Sequence, residues 1–231
     1  MLHIRHMTWR RISMVQQYKA VVFDLDGTLL DTSEGVLSAV KYTIEYFKFP
    51  KLTDEQLKKF IGPPIQNSFA HVYGIKGDFL QDIASVFRER YKNIDLLRAV
   101  PYDGIYNLFQ VLIDSGIKPA IATYKRQDYA TELLCHFEFD KYTNIMYGAD
   151  HENKLQKKDI IEKALRDVPI SSNCEAVMVG DSDNDARGAN DIGIDFVGVT
   201  YGFGFKSVQD VQRFPNVGVA QNVEFLKKLL V

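Results

Sequence analysis

The sequence feature that most constrains the fold is a short apolar run that ends in two acids. Residues Ala20 to Phe23 are small, β-branched or aromatic, a composition typical of a strand buried on both faces of a parallel sheet. Asp24 and Asp26 follow directly, with Gly27 after them. Ligands of open α/β sheets bind beyond the carboxyl ends of the strands, so these acids stand where chemistry is expected. The structural alternative is an Asx-type turn, in which Asp and Gly only break the strand.

The same arrangement recurs in the second half of the chain. The apolar run Ala176 to Val179 leads into Gly180, and Asp181 and Asp185 follow. Two acidic strand ends on one sheet are difficult to explain by turn chemistry alone. The recurrence therefore predicts one site at a shared sheet edge, in which Asp183, between the two acids, is most simply a turn residue.

The order of the predicted elements indicates the fold class. After Val100, apolar strand-like runs alternate with amphipathic helical segments, which favours right-handed crossovers and an α/β fold with a doubly wound, Rossmann-like parallel sheet. Residues 34–99 instead carry helical patterns with no strand signal. The sequence predicts a core of residues 18–33 and 100–231, with a helical cap, residues 34–99, inserted after the first strand. We expect residues 1–17 to be an N-terminal leader outside the fold.

Composition and charge exclude several classes of partner. The chain of 231 residues has a formal net charge of −2 and no basic stripe, so we expect no nucleic-acid partner. No apolar run approaches the roughly 18 residues of a membrane span, and the basic N-terminal segment lacks the apolar core of a signal peptide. We therefore expect a cytoplasmic protein with no membrane partner, and the sequence leaves its oligomeric state open. Cys135 and Cys174 have neither disulfide-framework nor zinc-site spacing, and we expect both in the core.

Polar groups at further element ends extend the predicted site. Thr123 ends the apolar run Lys118 to Thr123, and Lys157 immediately precedes a helical pattern, with Lys154 and Lys158 as alternatives for this lysine. Converging carboxylates need a counter-charge, and Mg²⁺ suits them because it binds through a few carboxylates and substrate phosphate. A magnesium ion beside a lysine indicates a small phosphorylated metabolite as the substrate.

These residues suggest a division of labour in phosphoryl transfer. We expect Asp24 to attack phosphorus as a carboxylate nucleophile, which gives an aspartyl phosphate. Asp26 is predicted to protonate the leaving-group oxygen and then to activate water. Thr123, with the backbone N–H groups after Asp24, is expected to hold the phosphate oxygens, and Lys157 to offset the developing charge.

Four of these segments resemble the motifs of one family, the haloacid dehalogenase-like hydrolases. The segment Asp24-Leu25-Asp26-Gly27-Thr28 is similar to the first motif, Thr123 to the second, a lysine at 154–158 to the third, and Gly180 to Asp185 to the fourth. The resemblance covers nearly the whole chain after residue 18 and is closest to the phosphoglycolate phosphatase group. It implies a phosphatase that holds Mg²⁺ on Asp24, Asp181 and the backbone carbonyl of Asp26, with Asp185 nearby.

Three other functions fit the same residues. A sugar phosphomutase similar to β-phosphoglucomutase returns the phosphoryl group to a sugar, and a nucleoside monophosphate phosphatase differs in its substrate. A catalytically silent binding module on the same scaffold is the non-enzyme alternative, which the complete set of acids and lysine argues against. In the cap, Gly62-Pro63-Pro64 is either a helix break or a rigid turn that selects substrate, and we include Gly62 among the expected substrate-binding residues.

Overall fold

A parallel sheet of six strands forms the centre of the molecule. The structure is a computed structural model that describes residues 18–152 and 154–231, so the predicted leader, residues 1–17, lies outside the described residues. The described residues form eight strands, of which all but β2 and β3 belong to this sheet. They are β1 (Ala20–Phe23), β2 (Leu30–Asp31), β3 (Val100–Pro101), β4 (Lys118–Arg126), β5 (Met146–Ala149), β6 (Ala176–Gly180), β7 (Asp195–Val199) and β8 (Gly218–Ala220). The sheet order is β5-β4-β1-β6-β7-β8, and each neighbouring pair is parallel. The predicted α/β fold with a doubly wound parallel sheet is confirmed.

Strand β1 lies inside the sheet, between β4 and β6. All four of its residues are buried, and their side chains pack alternately into two hydrophobic clusters, because successive strand residues point to opposite faces. Phe23, the last residue of β1, pairs with Ile121 of β4 and with Val179 of β6. Asp24 therefore leaves the sheet beside the carboxyl ends of two other strands.

Ten helices surround this sheet or extend beyond it in the part of the chain that the structure describes. They are α1 (Ser33–Tyr46), α2 (Asp54–Lys58), α3 (Ile65–Tyr73), α4 (Phe79–Arg90), α5 (Ile105–Asp114), α6 (Gln127–His136), α7 (Lys157–Arg166), α8 (Asp183–Ile192), α9 (Val208–Val211) and α10 (Val223–Leu230). The predicted cap segment, residues 34–99, contains α2 to α4 and all of α1 except its first residue, Ser33. α4 ends at Arg90, and one π-helical turn, Tyr91–Asp95, continues it.

The two connections between the cap segment and the sheet pair with each other. β2 and β3 form an antiparallel ribbon in which Leu30 faces Pro101 and Asp31 faces Val100. The ribbon was not predicted, because two residues per strand are too few to show a periodic pattern. It fixes the point at which the chain leaves the core and returns to it.

Two expectations about single residues were wrong. Thr123 does not end its strand, since β4 continues to Arg126, and its pairing with β5 shifts register between Ala122 and Arg126. Cys135 and Cys174 are both exposed. Cys135 lies on α6, whose buried residues occupy other positions of the helix, and Cys174 lies in a 3₁₀ turn before β6.

None of the helices in residues 18–152 and 154–231 combines the length and the apolar character that a bilayer crossing requires.

Candidate active site

Three carboxylates from separate segments converge at the carboxyl edge of the sheet. Asp24 follows β1, Asp181 follows β6, and Asp185 lies in the first turn of α8. One oxygen from each lies within 4.8 Å of the other two, and all three residues are buried. The structure thus brings together three of the acids that the sequence analysis selected.

The start of α8 orients Asp185. The backbone N–H of Ser182 donates to Asp185 Oδ2 at 3.1 Å, and the Ser182 hydroxyl donates to the same oxygen at 2.7 Å. These bonds belong to a capping box, in which the residue before a helix and its third residue satisfy each other. The other oxygen, Oδ1, is left to face the site.

A glycine-rich loop after β7 fixes Asp181. The backbone N–H groups of Phe203 and Gly204 donate to Asp181 Oδ2 at 2.6 and 2.9 Å. Gly27 approaches this carboxylate so closely that a Cβ on it would lie 2.3 Å from Asp181 Oδ2. This contact was not predicted, because its two donors lie 22 and 23 positions from Asp181 in the chain.

Among the three lysines considered for the site, the structure brings Lys157 to the acids. Its side chain is 3% exposed, and Nζ lies 2.5 Å from Asp24 Oδ1 and 2.6 Å from Asp185 Oδ1. Lys157 is the first residue of α7, and its backbone N–H donates to the Tyr124 hydroxyl at 2.8 Å. Lys154 lines the outer part of the cleft, but its side chain is 77% exposed and pairs with Glu152.

The charges in the cluster do not balance. Burial, together with Asp185 nearby, raises the pKa of Asp181 to about 6. Burial also raises the pKa of Asp24, against the lowering effect of Lys157. Burial alone lowers the pKa of Lys157, but the carboxylates of Asp185 and Asp24 raise it above its usual value. Among the described residues, the buried site therefore holds three carboxylates and the single ammonium of Lys157, which contacts two of them.

This donor set fits a hard divalent cation. All three groups are carboxylates, and carboxylate oxygens are ligands of Mg²⁺. One oxygen of each lies within 4.8 Å of the other two, so the three surround one point. A dication also supplies the positive charge that Lys157 alone cannot. The side chain of Asp26 takes no part in the cluster, so only its backbone carbonyl, which the family resemblance implied, is a candidate ligand from that residue.

The Asp26 side chain instead belongs to a second polar cluster. Asp26 Oδ1 accepts a hydrogen bond from the Thr32 hydroxyl at 2.6 Å, and Lys125 Nζ lies 3.0 Å from the same oxygen. Lys125 was missed in the sequence analysis, although a lysine at the end of an otherwise apolar strand, two residues after Thr123, was an available signal. Thr123 is buried, and its Oγ1 accepts from the backbone N–H of Lys125 at 3.1 Å.

A cleft of about 800 Å³ joins these residues to the cap segment. From the core, Asp24, Asp26, Thr123, Lys157, Asp181 and Asp185 line it, and from the cap segment, Gly62, Phe87, Arg88 and Tyr91 do so. Volumes of this order are typical of small-molecule sites. The structure therefore brings every residue that the sequence analysis assigned to the site to a single cleft, and the individual roles stay predictions.

Comparison with known proteins places the chain in a family. A family model for haloacid dehalogenase-like hydrolases matches residues 21–199. The 5'-nucleotidase of Pseudomonas aeruginosa is 31% identical over 188 residues, 81% of this chain and 85% of that protein. The tyrosine-protein kinase PtkA of Mycobacterium tuberculosis is 28% identical over 91% of this chain and 72% of its own length.

The solved structures give the same result for the fold. A predicted phosphatase from Clostridium acetobutylicum has a TM-score of 0.82 and 32% identity, and the match covers 92% of this chain and 97% of that one. The prediction of an enzyme of the phosphatase class is confirmed at this level. The chain belongs to the haloacid dehalogenase-like hydrolases.

Proposed function

We propose that this phosphatase is a magnesium-dependent hydrolase of phosphomonoesters that works through an aspartyl phosphate. The observation that carries the proposal is the convergence of Asp24, Asp181 and Asp185 on one buried point. Lys157, whose ammonium contacts Asp24 and Asp185, is the only lysine among the described residues that forms an ion pair with these acids. Such a site attracts a cation and, through it, a phosphate group.

Each proposed step uses a group of this chain. A carboxylate oxygen of Asp24 forms a bond to phosphorus while the bond to the leaving-group oxygen breaks, and Asp26 gives that oxygen its proton. Water then attacks the aspartyl phosphate, Asp26 takes the proton of the water, and Asp24 is released as a carboxylate. Thr123 and Lys157 donate hydrogen bonds to the non-bridging oxygens.

We propose that Asp24, Asp181 and the backbone carbonyl of Asp26 hold Mg²⁺, with Asp185 nearby. When bound, the ion supplies the positive charge that stabilises the phosphate oxygens in the transition state. The cap, residues 34–99, is proposed to close over the cleft and to exclude bulk water from the acyl phosphate, with Gly62 at the substrate.

For the substrate, we propose a small cytoplasmic metabolite whose leaving group carries a negative charge, as in phosphoglycolate. Arg88, on α4, lines the cleft and is half-buried. Burial, with Arg126 nearby, lowers the pKa of Arg88, and no carboxylate of the described residues acts on it. Arg126 is already paired with Asp128, through two bonds of 2.6 and 2.5 Å. An anionic leaving group satisfies the unpaired guanidinium.

Nucleoside 5'-monophosphates are a second substrate class. The likeness to the 5'-nucleotidase, at 31% identity, favours them, and the aromatic residues Phe87, Tyr91 and Tyr129 in the cleft wall offer apolar surface to a nucleoside. Kinetic comparison of phosphoglycolate with the 5'-mononucleotides distinguishes the two classes.

The test is a screen of phosphorylated metabolites for release of inorganic phosphate, with Mg²⁺ and with a chelator. We expect wild-type release only with the metal, no release from Asp24→Asn, and a phosphorylated Asp24 peptide in acid-quenched wild-type protein. Asp191→Asn, an exposed acid on α8, is the control. Release by Asp24→Asn at the wild-type rate contradicts the proposal, and label recovered on a second sugar instead of in phosphate indicates a mutase.

A further inference from the structure

Lys125 is a buried ammonium that the proposed reaction does not yet use. Its side chain is 8% exposed, and Nζ lies 3.0 Å from Asp26 Oδ1. The same Nζ donates a hydrogen bond to the Tyr91 hydroxyl at 3.0 Å. Because Tyr91 belongs to the cap segment and Asp26 to the core, this lysine connects the two sides of the cleft.

The Asp26 carboxylate is held from two directions at one oxygen. The Thr32 hydroxyl donates to Oδ1 at 2.6 Å, and the Lys125 ammonium approaches the same atom. A carboxylate with both donors on Oδ1 has its rotation restricted, and Oδ2 is the oxygen available for proton transfer. The Asp26 side chain is only 19% exposed, so these two protein donors, rather than solvent, set the orientation of its carboxylate.

Tyr91 in turn holds Lys125. The ammonium lies 5.1 Å from the centroid of the Tyr91 ring, within the range of a cation–π contact. The ring stacks on Phe87 at 5.6 Å and meets Tyr129 edge-on at 5.8 Å, which leaves it little freedom. Tyr91 is also the first residue of the π-helical turn, an irregularity that is frequent at functional sites.

We propose that Lys125, held by Tyr91 of the cap, positions the Asp26 carboxyl group for proton transfer to the leaving group. The inference rests on the proposed function, in which Asp26 is the acid and base. It adds Lys125 and Tyr91 as positioning residues. Because Tyr91 belongs to the cap segment, proton transfer then depends on the position of that segment over the cleft. Lys125 acts through Asp26 and donates no proton to the substrate.

The test compares two aryl phosphates of similar shape, 4-nitrophenyl phosphate and phenyl phosphate. The phenolate leaving group is far more basic than 4-nitrophenolate and needs the proton more. The ratio kcat/KM reports the steps from binding up to loss of this group, so the difference between its losses on the two esters reports the proton donation. We expect Lys125→Met to lower kcat/KM by roughly 100-fold on phenyl phosphate and by less than about 3-fold on 4-nitrophenyl phosphate, as loss of general acid catalysis predicts.

Two further variants separate positioning from other roles. Tyr91→Phe removes one hydroxyl, and we expect the same selective loss on phenyl phosphate at a smaller size, about 3- to 10-fold. In the Asp26→Asn background, Lys125→Met is expected to cause no additional selective loss, since interacting residues are not additive. Lys118→Met, an exposed lysine at the start of the same strand, is the matched control and should leave both esters unaffected.

The outcomes separate this inference from the proposed function. If the wild type hydrolyses neither ester, or if Asp26→Asn loses both equally, the proposed roles fail. If Asp26→Asn shows the selective loss but Lys125→Met and Tyr91→Phe do not, the positioning proposal alone is overturned. A selective effect of Lys125→Met that persists without Asp26 also overturns it, because the lysine then acts directly. If Lys125→Met does not fold, Tyr91→Phe decides in the same way.

Discussion

The ammonium of Lys157 lies 2.5 Å from Oδ1 of Asp24, although 133 residues separate the two in the chain. The side chains are 3% and 9% exposed, so both charges are largely shielded from solvent in the folded protein. Lys157 also contacts Asp185 at 2.6 Å. The Lys157 ammonium therefore offsets part of the negative charge of the three carboxylates, and we expect the stability of the metal-free protein to depend on it.

Replacement of Lys157 by Met should destabilise the metal-free protein. Removal of one partner from a buried ion pair leaves an uncompensated charge and costs about 3 to 5 kcal/mol. We expect urea unfolding to show a loss of this order, together with loss of phosphatase activity. Lys154→Met is the matched control, because the Lys154 side chain is 77% exposed and should change stability by less than about 0.5 kcal/mol. Equal stability of the two variants would contradict this account of the pair.

The stability of the metal-free protein should depend on pH through Asp181. Its folded pKa of about 6 exceeds the value of about 4 for an unfolded chain. The folded state therefore binds more protons between these pH values, and its free energy of unfolding falls as pH rises through them. Ionisation of this one group in the folded protein lowers the free energy of unfolding by about 3 kcal/mol. Asp24 shifts in the same direction, because its burial also raises its pKa.

Two measurements check this dependence. Thermal unfolding without metal should show Asp181→Asn gaining stability over the wild type as pH rises from about 4 to 7, because the amide never ionises. Mg²⁺ should raise the wild-type Tm more near pH 7.5 than near pH 5, since it binds the carboxylates in competition with protons. Two results would contradict the charge imbalance. One is a Mg²⁺-induced rise in Tm that is larger at pH 5 than at pH 7.5. The other is a wild-type Tm that changes with pH in the same way as that of Asp181→Asn.

The site residues that could be predicted from the sequence are those that lie at the end of a short, recognisable sequence pattern. Asp24 and Asp181 end apolar strands, and Lys157 begins a periodic helix, so each has a local signature. The contact of Lys125 with Tyr91 joins residues 34 positions apart, and no local pattern encodes it. Strand order also has no local signature. The alternation of strands and helices indicates crossover connections, but the position of β6 beside β1 depends on the face of the sheet against which each helix packs.

Gly27 offers a test of how closely the backbone must approach Asp181. It has φ of +82°, and a Cβ there would lie 2.3 Å from Asp181 Oδ2. Gly77 has nearly the same φ, +78°, and among the described residues, its chain neighbours aside, no atom lies within 4 Å of an added Cβ. Gly77→Ala should therefore cost only the backbone strain, about 1 to 2 kcal/mol. Gly27→Ala should cost more and should also weaken the Mg²⁺-induced rise in Tm, because the Asp181 carboxylate must move. A metal response equal to that of Gly77→Ala would show that Asp181 tolerates the shift.

Arg88 gives the sharpest test of the substrate class. Its guanidinium lines the cleft, and no carboxylate of the described residues acts on it. A charge-assisted hydrogen bond to a substrate carboxylate contributes about 1.5 to 3 kcal/mol. We therefore expect Arg88→Gln to lower kcat/KM for phosphoglycolate by about 10-fold or more.

The matched substrate is 2-hydroxyethyl phosphate, which has a hydroxymethyl group in place of the carboxylate. Its kcat/KM should change little in Arg88→Gln, because the neutral group makes no ion pair with the lost guanidinium. Lys92→Gln, an exposed cation in the π-helical turn Tyr91–Asp95, controls for loss of general positive charge. Equal losses on both esters would mean that Arg88 supports the cleft wall and does not read the leaving group. A loss of kcat/KM in Arg88→Gln that is confined to 5'-mononucleotides would favour these as the substrate class, because a guanidinium also stacks on a planar ring such as a nucleobase.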